Sequence, residues 1–181
     1  MVDQLEAKRL EIITKLKALK SRLESGDDSE LLVCVLSGRL ALAQRPLRHH
    51  PLYAGSGAVI PARATSLVFA WAGSIRANGI ASVISFMHDR DRHCYSQLDL
   101  GASDINEFYE RQGFKVARIP WEDPHHSKTD PGTKRRRLEK CRVDALKAFD
   151  LLPKPVLLQC SSGIDRSAPV AAYIWQQRSA V

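Results

Sequence analysis

The sequence predicts an α/β domain with a central, largely parallel twisted sheet flanked by helices, and three observations predict it. From residue 65 onward, segments of helical periodicity alternate with apolar runs of strand length, in the order helix, strand, helix, strand, helix, strand, loop, helix. The last of these runs, Val156-Leu157-Leu158-Gln159, stops at Cys160; a short loop follows, and Arg166 opens an apolar helix. At 181 residues the chain is long enough for one domain with a substantial core and too short for two of ordinary size.

Apolar residues make up 44% and charged residues 26%, a balance that excludes wholesale disorder. The net charge of +7 is uneven: between His125 and Arg142 stand seven Lys or Arg against Asp130 and Glu139. The four cysteines, Cys34, Cys94, Cys141 and Cys160, are widely spaced with no C-x-x-C pair, so neither a zinc site nor a disulfide framework is expected, and a reducing compartment fits. No run reaches the roughly 18 apolar residues of a membrane span. The charged first turns lack the order of a signal peptide, so a cytoplasmic location is the expectation.

Residues 3–25 read as a helix, with Asp3 as cap, Glu6 three residues later and Gly26 as the left-handed stop. Leu5, Ile12, Leu16, Leu19 and Leu23 form a heptad-like stripe interrupted by Arg9, which either docks on the domain or pairs with a second copy. Gly26-Asp27-Asp28-Ser29 is a linker. Residues 31–35 and 39–43 read as short strands around a Ser37-Gly38 turn, and 45–61 carries turn chemistry. Thr65 is positioned to cap a helix to about Ala77 whose apolar face is Leu67, Val68, Phe69, Trp71 and Ile75. Residues 80–86 read as a buried strand, 88–93 as a charged loop, 104–111 as a short helix stopped by Gly113, and 114–119 as another strand. An irregular loop over 120–132 leads to a helix from about Thr133 to Leu151 with Leu138, Cys141, Ala145 and Phe149 on one side.

The sharpest signal is the loop from Cys160 to Arg166. A cysteine at a strand end, an arginine six residues on and a following helix N-terminus make a cradle whose backbone N–H groups can turn toward a tetrahedral anion. Arg166 and the helix N-terminus favour the thiolate, the nucleophilic form of cysteine. The guanidinium can present two parallel N–H groups to two phosphate oxygens. Pro169 suits the first turn of the helix.

Cys160-Ser161-Ser162-Gly163-Ile164-Asp165-Arg166-Ser167 resembles the phosphate loop of the cysteine-dependent protein tyrosine and dual-specificity phosphatases. Ile119-Pro120-Trp121-Glu122-Asp123 resembles the mobile general-acid loop of that family, and residues 36–41 and 79–84 are similar to its first strands, in the small dual-specificity branch. The resemblance spans about residues 36–178. It implies the tyrosine phosphatase-like fold of the dual-specificity type, with residues 1–29 as an N-terminal helix and linker and 30–181 as the catalytic domain. It also implies Cys160 as nucleophile, and Arg166 with the loop residues Ser161, Ser162, Gly163, Ile164 and Asp165 as the phosphate site. Asp123 would be the general acid, and Ser167 would assist departure of the thiolate, with no metal or cofactor. Asp130, further along the loop, is the alternative acid, and His125 and His126 are candidates for substrate contact or proton transfer.

Two residues depart from the family pattern. Gln159 stands where a histidine usually precedes the nucleophile, and Asp165 places a carboxylate inside a phosphate site, where it opposes a dianion unless paired with a cation or turned away. The expected substrates are phosphorylated proteins or small phosphoesters. Phosphoinositides are an alternative and a weakly active phosphate-binding scaffold a second. The Lys134-Arg135-Arg136-Arg137 cluster attracts acidic phosphopeptides, phosphoinositide headgroups or RNA 5′ ends or is simply a solvated helix face, and without interleaved aromatics it is weak evidence for nucleic acid, which is not the expected partner. The oligomeric state is open.

Overall fold

The computed structural model describes residues 3–179. Asp3 caps helix α1 (Gln4–Glu24) by accepting the Leu5 N–H at 3.2 Å. The hairpin strands β1 (Val33–Leu36) and β2 (Leu40–Gln44) turn at Ser37-Gly38, and a 3₁₀ turn, Ala62–Ala64, enters α2 (Thr65–Ala77). Then come β3 (Ser82–Ser85), α3 (Asp89–His93), α4 (Ile105–Arg111), β4 (Lys115–Arg118), α5 (Pro131–Leu151), β5 (Val156–Cys160) and α6 (Ser167–Arg178).

The five strands form one sheet in the order β1-β2-β5-β3-β4. Strands β2, β5, β3 and β4 run parallel, and β1 joins the edge antiparallel to β2. Strand β5 is therefore central and every one of its residues is buried, as its apolar run requires. Side chains alternate between the two sheet faces. Leu40, Leu42, Ile84, Val156, Leu158 and Cys160 meet the helices α1, α5 and α6. On the other face, Ala41, Ala43, Val83 and Leu157 meet α2 and α4. The fold is thus α/β, with a mostly parallel mixed sheet between two helical layers.

The α1 stripe docks on its own chain. Ile12, Leu16 and Leu19 are buried in the same cluster as Val170, Ala171 and Ile174 of α6. Burying three such side chains contributes about 1.5–3 kcal/mol each before entropy is counted. Arg9, which interrupts the stripe, stays partly exposed and pairs with Glu6 at 2.5 Å.

Three local expectations are corrected. Residues 88–93 are not a loop, because Asp91 at the third helical position accepts the His88 N–H at 3.0 Å in a reciprocal capping pair that starts α3. Helix α5 begins at Pro131 rather than Thr133, because Asp130 caps it by accepting the Thr133 N–H at 3.0 Å and proline suits the first turn. Thr65 does not cap α2: the preceding 3₁₀ turn places it inside the helix, where its hydroxyl donates to the Ala62 carbonyl. The buried face of α2 is Val68, Ala72 and Ile75, while Leu67 and Phe69 are exposed. No helix among the described residues is long and apolar enough to cross a membrane.

Candidate active site

Parallel strands end on a common edge, so the segments that leave β2, β3, β4 and β5 converge there. The segment after β5 carries the cysteine. Register fixes its place: Gln159 lies opposite Ala43 and Ser85, and Cys160 lies opposite Gln44. The Gln159 side-chain amide donates to the Gln44 carbonyl at 3.2 Å, so this residue ties β5 to β2 from the position just before the thiol.

The loop folds back over Cys160. The Gly163 N–H points at the Cys160 sulfur, 3.2 Å away. Gly163 has φ +84°, which favours glycine, and a Cβ there would lie 3.1 Å from a methyl carbon of Leu16, which would have to give way. Ser161 is held from the β2 side, where its carbonyl accepts the Arg45 N–H at 3.0 Å and its hydroxyl accepts Arg48 Nε–H at 3.2 Å. The Ala168 N–H bonds the Gly163 carbonyl at 2.9 Å as α6 begins.

Arg166 is 1% exposed and is gripped on one side only. Its Nη1 donates to Asp91 at 2.6 Å, to the Trp121 carbonyl at 2.9 Å and to the Phe86 carbonyl at 3.2 Å, while Nη2 donates to Asp91 at 3.0 Å. Nε has no partner among the described residues, which leaves that edge of the fork for an anion. Burial works against its charge, but the Cys160 side chain and the Asp91 carboxylate more than offset this and hold the guanidinium protonated above its ordinary range. Burial also works to raise the Asp91 carboxyl, and the Arg166 hydrogen bonds and charge outweigh it, leaving that carboxyl below its usual value.

The segment after β4 brings Asp123 to the same place, one carboxylate oxygen 3.7 Å from Arg166 Nη2. The other oxygen accepts the His125 N–H at 2.9 Å, and the Asp123 carbonyl accepts the His126 and Ser127 N–H groups, so a tight turn sets the carboxylate. Asp165 does not stand alone beside the cradle: His125 Nε2 lies 3.1 Å from its carboxylate and joins the loop after β4 to the loop after β5. Ser161, Asp91, Asp123, His88, Arg90 and His126 line a mouth cavity of about 120 Å³. No family model, curated protein or solved structure matches this chain.

Of the residues singled out from sequence, Cys160, Arg166 and Asp123 come together, with Ser161 and Gly163 shaping the loop. Ser162, Ile164 and Asp165 occupy its partly exposed crest. Ser167 is fully buried at the start of α6, its hydroxyl without a hydrogen-bond partner among the described residues. Asp130 is the cap of α5. His126 lines the mouth, and His125 contacts Asp165. Sequence reasoning missed Asp91. Its signal was an acid between Arg90 and Arg92 just beyond a buried strand, at the edge where parallel sheets bind ligands. It also missed Arg48 and the carbonyls of Phe86 and Trp121, for which residue type gives no signal. Among the described residues no three His, Cys, Asp or Glu side chains are grouped to hold a metal ion.

The arrangement offers a thiol beneath a turned-in N–H, a fixed cation with a free N–H edge, and a carboxylate at the rim. Such a set has the chemistry to hold a tetrahedral anion and to take a group onto sulfur with a carboxyl group beside the leaving atom.

Proposed function

We propose that this chain is a phosphoester hydrolase that works through a phosphocysteine, of the protein tyrosine and dual-specificity phosphatase type, acting on phosphorylated proteins or small phosphoesters. The observation that carries the reading is Arg166: buried, anchored through Nη1 by Asp91 and two carbonyls, with Nε unpartnered next to Cys160. The anchored Nη1 fixes the guanidinium, and the free Nε–H leaves a donor for an anion at the loop that carries the thiol.

In the proposed reaction the Cys160 thiolate attacks phosphorus while the bond from phosphorus to the leaving oxygen breaks. Asp123, protonated at the start, gives its proton to that oxygen. Arg166 and the loop N–H groups hold the equatorial oxygens as charge shifts. Water then attacks the phosphocysteine, gives a proton to Asp123, and the S–P bond breaks to return the thiolate, which the Ser167 hydroxyl stabilises. His125 neutralises Asp165 when protonated and so lessens its opposition to the substrate dianion.

The test is hydrolysis of p-nitrophenyl phosphate by the full chain. Vanadate-sensitive turnover that disappears in Cys160→Ser is expected. Turnover that survives in Cys160→Ser sinks the proposal. A panel of phosphotyrosine peptides, phosphothreonine peptides and phosphoinositides then assigns the substrate class.

A further inference from the structure

A second cavity of about 190 Å³ lies behind the phosphate loop, between the end of α1, the turn after β2 and the outer face of α2. An apolar cavity of roughly 150 Å³ accommodates benzene, so this one has room for a single-ring molecule with a substituent. Part of its wall is apolar, formed by Leu23, Leu31, Leu47, Leu67 and Trp71. Polar and charged side chains make up much of the rest, two arginines among them. Arg45 and Arg48 line it, and neither pairs with a carboxylate among the described residues: Arg45 donates to the Gly55 carbonyl and Arg48 to the Ser161 hydroxyl. The one acid in the wall, Asp28, is exposed at the rim.

Two further features set this wall apart from ordinary packing. Gln44, 3% exposed, leaves both polar atoms of its side chain without a hydrogen bond among the described residues, and His49, 4% exposed, has Nδ1 3.2 Å from a Glu24 carboxylate oxygen and Nε2 without a partner. Leu47 holds φ +61°, a left-handed conformation that costs a bulky side chain on the order of 1 kcal/mol or more. Uncompensated buried polarity and backbone strain in one wall are features of binding sites. Burial and the neighbouring Arg45 charge push the Arg48 pKa down, so an anion beside it would relieve a strained charge.

We propose that this cavity binds a small organic anion with an aromatic body, the ring against Leu67 and Trp71 and the carboxylate or similar head on Arg48, and that occupancy is felt at Ser161. The route to the loop is short. Arg48 Nε–H reaches Ser161 Oγ at 3.2 Å, and the Arg45 N–H reaches the Ser161 carbonyl at 3.0 Å. A ligand that draws Arg48 toward the cavity alters one of the two bonds that hold the residue next to Cys160. The inference does not rest on hydrolytic activity, because its readout is binding.

The experiment is titration of the isotope-labelled full chain with phenylacetate and, separately, with its neutral isostere phenylacetamide, followed by amide and indole NMR signals. Phenylacetate is expected to shift the Trp71 indole N–H and the Ser161 amide saturably with one midpoint. Phenylacetamide should bind roughly tenfold more weakly, the loss of one charge-assisted contact. Ala70→Phe, which fills the exposed mouth, should remove both shifts, and Leu67→Glu on the same rim should weaken them by repulsion. Equal binding of the two probes, absence of a saturable Trp71 shift, or a Ser161 shift that persists in Ala70→Phe overturns the proposal; the last result would place the anion in the phosphate loop instead.

Discussion

At the scale of single residues, the two aspartates that the sequence offers as candidate acids have different surroundings. Asp123 stands 3.7 Å from Arg166 at the mouth, whereas Asp130 spends its carboxylate on the Thr133 N–H. Asp123→Asn should therefore lower turnover of an alkyl phosphate far more than that of p-nitrophenyl phosphate, whose leaving group needs little protonation, and leave the melting curve in place. Asp130→Ala should instead cost about 1 kcal/mol of stability, the usual value of a lost cap, with turnover retained. Kinetics and denaturant melts on the two variants check both, and the reverse pattern would contradict the assignment. Asp91 is a third case. Its pKa is held below the ordinary carboxylate range, so its stabilising contribution is fully present above the unfolded value of about 4 and is lost as pH falls through the folded value. Asp91→Ala strands the buried Arg166 charge and should cost about 3–5 kcal/mol near neutral pH, a gap that narrows below about pH 4. Denaturant melts across that range measure it, and a gap independent of pH would contradict it.

At the scale of elements, α1 belongs to the site as well as to the core. Leu16 is buried against the loop after β5 at the point where Gly163 turns, and Gly163 in turn presents its N–H to Cys160. Leu16→Ala should cost about 2–5 kcal/mol by leaving a cavity. It should also lower turnover, because the loop loses the surface that fixes its turn. Gly163→Ala should lower turnover more than stability, since a methyl at φ +84° must move the loop. Loss of stability with unchanged turnover in Leu16→Ala would separate α1 from the site. Much of this was legible in sequence: the stripe of α1, the strand that ends at Cys160 and the apolar helix α6 all follow from periodicity and punctuation. What was not legible arises from contacts distant in sequence. The capping of α3 by Asp91 is hidden among charges that read as a loop, and Leu67 and Phe69, which residue type places on the apolar face of α2, are exposed while the smaller Ala72 is buried.

At the scale of the whole molecule, the mostly parallel sheet makes the site. Strand β5 lies between β2 and β3, so its C-terminal loop is surrounded by the segments that leave three other strands, and each supplies contacts that fix it. The turn after β2 holds Ser161, the segment after β3 supplies the Phe86 carbonyl and Asp91, and the segment after β4 supplies the Trp121 carbonyl and Asp123. The strand and the C-x5-R spacing announce where a tetrahedral anion would sit. The partners of Arg166 needed the three-dimensional order of strands, which no local pattern encodes. The most direct test of the central claim is to quench the full chain in acid during turnover of an aryl phosphate and map phosphate adducts by mass spectrometry. A phosphate on Cys160, absent in Cys160→Ser, is the predicted result; turnover with no adduct on Cys160 and undiminished rate in Cys160→Ser would contradict it.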